Sequence, residues 1–140
     1  MNFECELTQY FPKYFNNSRS HMKPASEIEK LIRKMIRDKK GLFLVAESLG
    51  NICGFGYVVA YQFKRVSFPD SLMGEFKELW VSKEMRGKRI SSRMKDEFFK
   101  WFKKKGCKIV IIEVLKTNPA KKVYENWGFE SYVETYSKKL

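Results

Sequence analysis

Histidine, cysteine, proline and glycine are all scarce in this 140-residue sequence, and each shortage counts against a class of protein. A single histidine (His21) and three widely spaced cysteines (Cys5, Cys53, Cys107), with no Cys-x-x-Cys pair, argue against a metal centre and a disulfide framework. Eight glycines and four prolines form no linker, repeat or low-complexity tract, so the chain reads as one domain, residues 1–140. No stretch approaches the ~18 uninterrupted apolar residues needed to cross a bilayer. Met1 to Tyr10 lacks the basic start and apolar run of a signal peptide, which predicts a cytosolic protein with no membrane partner. Acidic residues are also in deficit: 16 Asp and Glu face 28 Lys and Arg, a net charge of +12 that attracts polyanions and repels polycations.

What is present suits a folded core. The chain is 44% hydrophobic and 16% aromatic, and a chain of this length buries about 69% of its unfolded surface. Ser26 and Glu29 form a capping-box pattern, and Ile28, Leu31, Ile32, Met35 and Ile36 recur at helical spacing before Gly41. Two strand-like runs follow, 42–47 and 52–63, joined by Ser48-Leu49-Gly50-Asn51, where Gly and Asn suit the positive φ of a tight hairpin. A polar connection around Pro69, Asp70 and Gly74 leads to a third strand, 75–82, with Phe76, Glu78 and Trp80 on one face and Lys77, Leu79 and Val81 on the other.

The period then changes. Ile90, Met94, Phe98, Trp101 and Phe102 make the apolar stripe of a helix that Gly106 ends. Residues 108–114 are β-branched, as expected of a buried central strand parallel to the one before the helix. A short helix is expected from Asn118 to about Trp127, with Asn118 as N-cap, Pro119 at N1 and Gly128 past its end. Residues 129–138 alternate around Tyr132, Glu134 and Tyr136 and read as a last edge strand. The fold class is therefore α/β in the α+β sense: a mixed, mostly antiparallel sheet with one parallel strand pair and helices on both faces.

The charge is concentrated. Residues 83–108 hold eleven bases against three acids, a surplus of eight out of the twelve. Within them, Val81-Ser82-Lys83-Glu84-Met85-Arg86-Gly87-Lys88-Arg89-Ile90-Ser91 is a short loop feeding a helix N-terminus. Outward backbone N–H groups and the positive end of the helix dipole make such a junction an anion site, and Arg86, Lys88 and Arg89 add full charges. A pyrophosphate suits it; the plain alternative is a solvated basic loop. The lysines farther along, Lys100, Lys103 and Lys104, read equally as a wet helix face.

The loop Arg86-Gly87-Lys88-Arg89-Ile90-Ser91 followed by a β-α unit and by Asn118-Pro119-Ala120-Lys121-Lys122-Val123-Tyr124-Glu125-Asn126-Trp127-Gly128-Phe129 resembles the GNAT superfamily of N-acetyltransferases. The resemblance covers about residues 42–136 and leaves 1–41 as an N-terminal helical region on the acceptor side. It implies acetyl-CoA as co-substrate and no metal. The implied cofactor contacts are Leu79 and Val81 on the strand, and Arg86, Gly87, Lys88, Arg89, Ile90 and Ser91 in the phosphate loop. Arg89 stands where the family usually has Gly, and Ser91 where it has Gly or Ala.

By the same resemblance Tyr124 is the general acid for the departing thiolate, a task a phenol with a reference pKa near ~10 can perform. Its plain alternative is a core aromatic. Two carboxylates are candidates for the base: Glu113, matching ribosomal-protein N-terminal acetyltransferases, and Glu78, matching histone-type members. Either could instead be a sheet carboxylate paired with a lysine. Asn118 is either a CoA contact or simply a cap, because the spacing to Ala120 and Tyr124 is one short of the family pattern.

The function implied is transfer of acetyl to a primary amine by direct attack in a ternary complex. A surface this basic disfavours polycationic acceptors such as polyamines and aminoglycosides. A protein N-terminus or lysine leads; an aminoacyl-tRNA, as in small basic GNAT toxins, is the alternative. A rival of another class is a module that keeps the fold and binds nucleic acid or protein without turnover. A monomer and a homodimer are both compatible with the sequence.

Overall fold

The computed structural model describes residues 25–140; Cys5, His21 and the rest of 1–24 lie outside the described residues. Helix α1 spans Ala25–Arg37. Its start at Ala25 puts Ser26 in the first turn instead of at the cap, and Glu29 pairs one turn on with Arg33 (2.6 Å). Ile32 is the fully buried centre of its apolar stripe and Ile36 packs beside it, whereas Leu31 is exposed. Just past the helix, Asp38 accepts a hydrogen bond from the Tyr57 hydroxyl, tying the helix end to the sheet. That bond holds the Asp38 carboxyl below its ordinary range, while burial and then the same bond push the Tyr57 phenol up.

Strands β1 (Gly41–Ser48), β2 (Asn51–Arg65) and β3 (Phe68–Val81) form an antiparallel meander. The β1–β2 hairpin forms where expected, with positive φ at Leu49 (51°) and Gly50 (79°), not at Asn51. The predicted polar connection is instead strand. Pro69 and Asp70 lie in β3 where the register slips against β2, a position at which proline's missing N–H removes no ladder bond. Gly74 is strand, paired with Ala60 and Val110, and it leaves room for the Phe102 ring, from which a Cβ would lie only 2.4 Å.

Helix α2 (Ile90–Lys105) follows β3 after a 3₁₀ turn at Lys83–Met85 and ends at Gly106 with φ 83°, as the sequence predicts. Strand β4 (Ile109–Ile112) returns parallel to β3, and a short helix α3 spans Lys121–Asn126. The sheet order among the described residues is β1-β2-β3-β4, which puts β4 at an edge there and not at the centre its composition suggests. Residues 129–138 form no strand. Period-two alternation specifies a strand only where one face is buried, and Tyr132 and Tyr136 are 53% and 87% exposed.

The two helices cover opposite faces. Ile32 of α1 packs with Ile52, Phe55 and Trp80, while Met94, Phe98 and Phe102 of α2 pack with Val58 and Phe76. One bulge decides this division. Tyr57 registers with Glu78 and Val58 with Phe76, leaving Lys77 as the extra residue. Phe76 therefore does not share a face with Glu78 and Trp80, as simple alternation predicts. It turns to α2, edge-on to Phe98 (5.4 Å) and Phe102 (5.6 Å), while Trp80 meets Phe55 on the α1 side.

Gly74→Ala tests the closeness of α2. The added methyl must displace the Phe102 ring, and overpacking of this kind costs about 1–3 kcal/mol. The denaturant midpoint should fall accordingly; an unchanged midpoint would show that α2 does not press on β3 at this position.

Candidate functional site: an opened sheet before a basic loop

The parallel ladder between β3 and β4 is four residues long, from Met73–Ile109 to Phe76–Ile112. Strand β3 continues to Val81, while β4 ends at Ile112 and its chain leaves toward α3. Residues 77–81 therefore line an opening with no strand beside them among the described residues. The Ser82 amide donates to the Cys53 carbonyl of β2 (2.8 Å). Because main-chain groups alternate sides along an antiparallel strand, those of Leu79 and Val81 turn into the opening. The Val81 carbonyl confirms that direction by accepting from Arg86 Nε (3.1 Å), which is not a β2 group.

The loop beyond has the shape of an anion cradle. Gly87 has φ 77° with nothing within 4 Å of where a Cβ would stand. Arg89 is the N-cap of α2 with φ 63° and ψ 19°, makes no side-chain cap, and has no acid in the turn that follows. The first amides of α2 thus have no capping side chain, and Arg86, Gly87, Lys88 and Arg89 are exposed around them, with Ile90 and Ser91 half-buried. The left-handed backbone at Arg89 is why glycine suits this slot, and it leaves the Arg89 side chain outside the loop's backbone path. These features fit the pyrophosphate of a CoA thioester.

Tyr124 stands across the opening on α3, half-buried against Trp127 (5.7 Å) and Phe129 (6.4 Å). Helix α3 is held to α2 through Lys95, which lies over the Trp127 ring (5.6 Å) and the Phe99 ring (5.8 Å). Burial pushes the Tyr124 phenol up, and the charge of Glu78 adds to it. The Glu78 charge thus reaches Tyr124, while burial is the larger cause of the shift. Glu113, exposed one residue past β4, acts on a different tyrosine: the Tyr61 phenol is raised by burial, by Glu75, and by Glu113.

Asn118 is not the cap of α3, whose N-cap is Ala120. Its Oδ1 accepts from the Ala120 amide (3.0 Å) and its carbonyl from the Lys121 amide (3.2 Å), forming a separate turn ahead of the helix; Pro119 is accordingly not at N1. Neither described cysteine is an activated thiol. Cys53 is buried with its Sγ against the Ala46 carbonyl (3.4 Å), and burial pushes the Cys107 thiol up. Among the described residues no three His, Cys, Asp or Glu side chains are grouped to hold a metal ion.

Three residues escaped the sequence reading. Glu75 is a carboxylate only 8% exposed, bonded by Lys77 Nζ (2.9 Å), with Tyr61 beside it. The readable signal was an acid two residues before a lysine within one strand.

A sheet opened next to a phosphate-type loop at a helix start defines the class: an α+β transferase that works on a CoA thioester. The chain belongs to the Acetyltransferase (GNAT) family, whose model matches residues 5–129; its members are N-acetyltransferases that use acetyl-CoA. Comparison with curated protein sequences finds no match. Solved structures share the fold. A protein from Pyrococcus furiosus described as an acetyl transferase superposes with TM-score 0.79 at 20% identity, covering 99% of this chain and 94% of that one. The ribosomal-protein-alanine N-acetyltransferase of Brucella melitensis gives 0.73 at 17%, covering 98% and 93%. AAC(6')-Iy, solved with a CoA-containing bisubstrate analogue of acetylneamine, gives 0.72 at 15%, covering 95% and 92%.

The left-handed backbone at Arg89 yields a stability prediction. Arg89→Gly should match or exceed the parent by up to about 1 kcal/mol, whereas Arg89→Val, branched at Cβ, should lose about 1–3 kcal/mol. Equal urea midpoints for the two variants would contradict a positive φ at this residue.

Proposed function

We propose that this chain acetylates a primary amine of a protein, an N-terminus or a lysine, by direct attack within a ternary complex. The supporting observation is the opening between β3 and β4, into which the main chain of Leu79 and Val81 turns, beside the uncapped start of α2. Acetyl-CoA would lie with its pyrophosphate on the amides of residues 87–91 and its pantetheine arm along the outward main chain of Leu79 and Val81. Arg86, Lys88 and Arg89 add charge, while Asn118, engaged in its own turn, has a smaller part.

Glu78 takes the proton of the attacking amine, the nitrogen bonds to the thioester carbonyl carbon, and the carbon–sulfur bond breaks. Tyr124 gives its proton to the leaving thiolate and regains one from water. Burial raises the Tyr124 phenol, so it stays a proton donor through and beyond pH ~10. Glu113 lies on the β4 side of the opening and serves as an acceptor contact. The raised Cys107 thiol and the buried Cys53 favour this direct route over a covalent enzyme intermediate. The net charge of +12 favours an acceptor with acidic surroundings.

Tyr124→Phe should lower kcat by about 10²-fold or more with the Kd for CoA unchanged, and Glu78→Gln should do the same while Glu113→Gln chiefly raises the acceptor KM. Kinetics with acetyl-CoA and a protein lysate, followed by label entering protein, measure this. An unchanged kcat in Tyr124→Phe removes the acid; a kcat loss confined to Glu113→Gln transfers the base to that residue. Because burial raises the Tyr124 phenol, kinetics repeated across pH should show no alkaline fall within the ordinary phenol range that Tyr124→Phe abolishes.

A further inference from the structure

Lys77 occupies an unusual place. It is the extra residue of the bulge at Tyr57/Val58, and it comes immediately after Phe76, the last β3 residue paired with β4. It therefore stands at the mouth of the opening. Its ammonium is bonded to the carboxylate of Glu75 at 2.9 Å, with the Lys77 side chain 47% exposed and that of Glu75 10%. A buried carboxylate requires a paired cation, and Glu75 thereby fixes the position of an otherwise loose four-carbon side chain. An ammonium has three donors, and Glu75 occupies one of them.

The register sets what surrounds it. Glu75 pairs with Ile111 across the parallel ladder, and Glu113 follows directly on the end of β4 at Ile112. Tyr61 lies beside both Glu75 and Glu113, and Glu78 is the next residue along β3. The mouth thus presents a held cation between carboxylates. That pattern complements a ligand carrying an amine and, a few ångströms from it, a carboxylate. Holding the cation beforehand removes part of the ordering cost of binding.

We infer that Lys77 is an acceptor-specificity residue, selecting amines with a neighbouring carboxylate, as at an acidic protein N-terminus. The inference rests on the proposed acetyl transfer to protein amines and names the sequence chemistry of the acceptor. Lys77 pairs with the acceptor's acid while the amine faces Glu78 and Glu113. Glu75 positions Lys77 and does not touch the acceptor.

The test uses fluorescein-labelled octapeptides with free N-termini beginning Ala-Glu-Glu or Ala-Gln-Gln, bound to the full chain with CoA present and followed by anisotropy. The parent should bind the acidic peptide about fivefold to tenfold more tightly than the neutral one. Lys77→Gln should abolish the difference, and Lys64→Gln, at an exposed hairpin lysine, should keep it. Because Lys77→Gln leaves Glu75 buried and unpaired, the double variant Glu75→Gln/Lys77→Gln removes both charges and should also lose the preference. No preference in the parent, a preference that survives in both Lys77 variants, or an equal loss in Lys64→Gln overturns the inference. Acetyl transfer to both peptides is measured separately by mass spectrometry. Transfer without preference defeats only the role of Lys77; preference without transfer defeats only the proposed reaction.

Discussion

One extra residue in a strand organises this molecule. By standing unpaired opposite Tyr57 and Val58, Lys77 breaks the alternation of β3 at the point where the parallel ladder to β4 stops. Before it, Phe76 points to α2 and joins the ring cluster of Phe98, Phe99, Phe102 and Phe129. After it, Glu78 is available to the opening and Trp80 packs toward α1. Were the strand regular, either Phe76 would leave the core or Glu78 would enter it, and both are costly. The bulge reconciles an apolar helix interface at Phe76 with a charged residue, Glu78, two positions away.

The charge of the chain reads differently once the fold is known. Arg86, Lys88 and Arg89 ring the start of α2, where the backbone already favours an anion. Farther along, Lys95 is taken up by Asp96 and by the Phe99 and Trp127 rings, Lys100 by Glu97, and Lys105 lies over Trp101. Much of the helix charge is thus employed in contacts within α2, and Lys95 alone among these reaches Trp127 at the end of α3. Glu75 is held by Lys77 at the mouth of the opening, Glu78 follows on β3, and Glu113 lies one residue past the end of β4.

The helices, the first hairpin and the parallel return of β4 were legible because each rests on a local signal: apolar periodicity, a turn pair, a β-branched run bounded by Gly106. The strand-to-helix junction between β3 and α2 was legible for the same reason. What depended on distant contacts was not. Gly74 looked like a turn because nothing in its neighbourhood reveals that Phe102 will lie against it. The exposure of β4 and the absence of a strand over residues 129–138 depend on which edge finds a partner. The bulge, and with it the roles of Glu75 and Lys77, follows from the register with β2, which no single strand's sequence contains.

The central claim is that acetyl-CoA occupies the opening between β3 and β4 with its phosphates at the start of α2. Titration of the isotope-labelled chain with acetyl-CoA, followed by amide ¹H–¹⁵N shifts, tests it directly. The account predicts that the largest changes fall at Leu79, Val81 and residues 86–92, with smaller ones around Tyr124. Changes centred on Lys103 to Lys108, or no changes at acetyl-CoA concentrations that saturate other acetyltransferases, would contradict it.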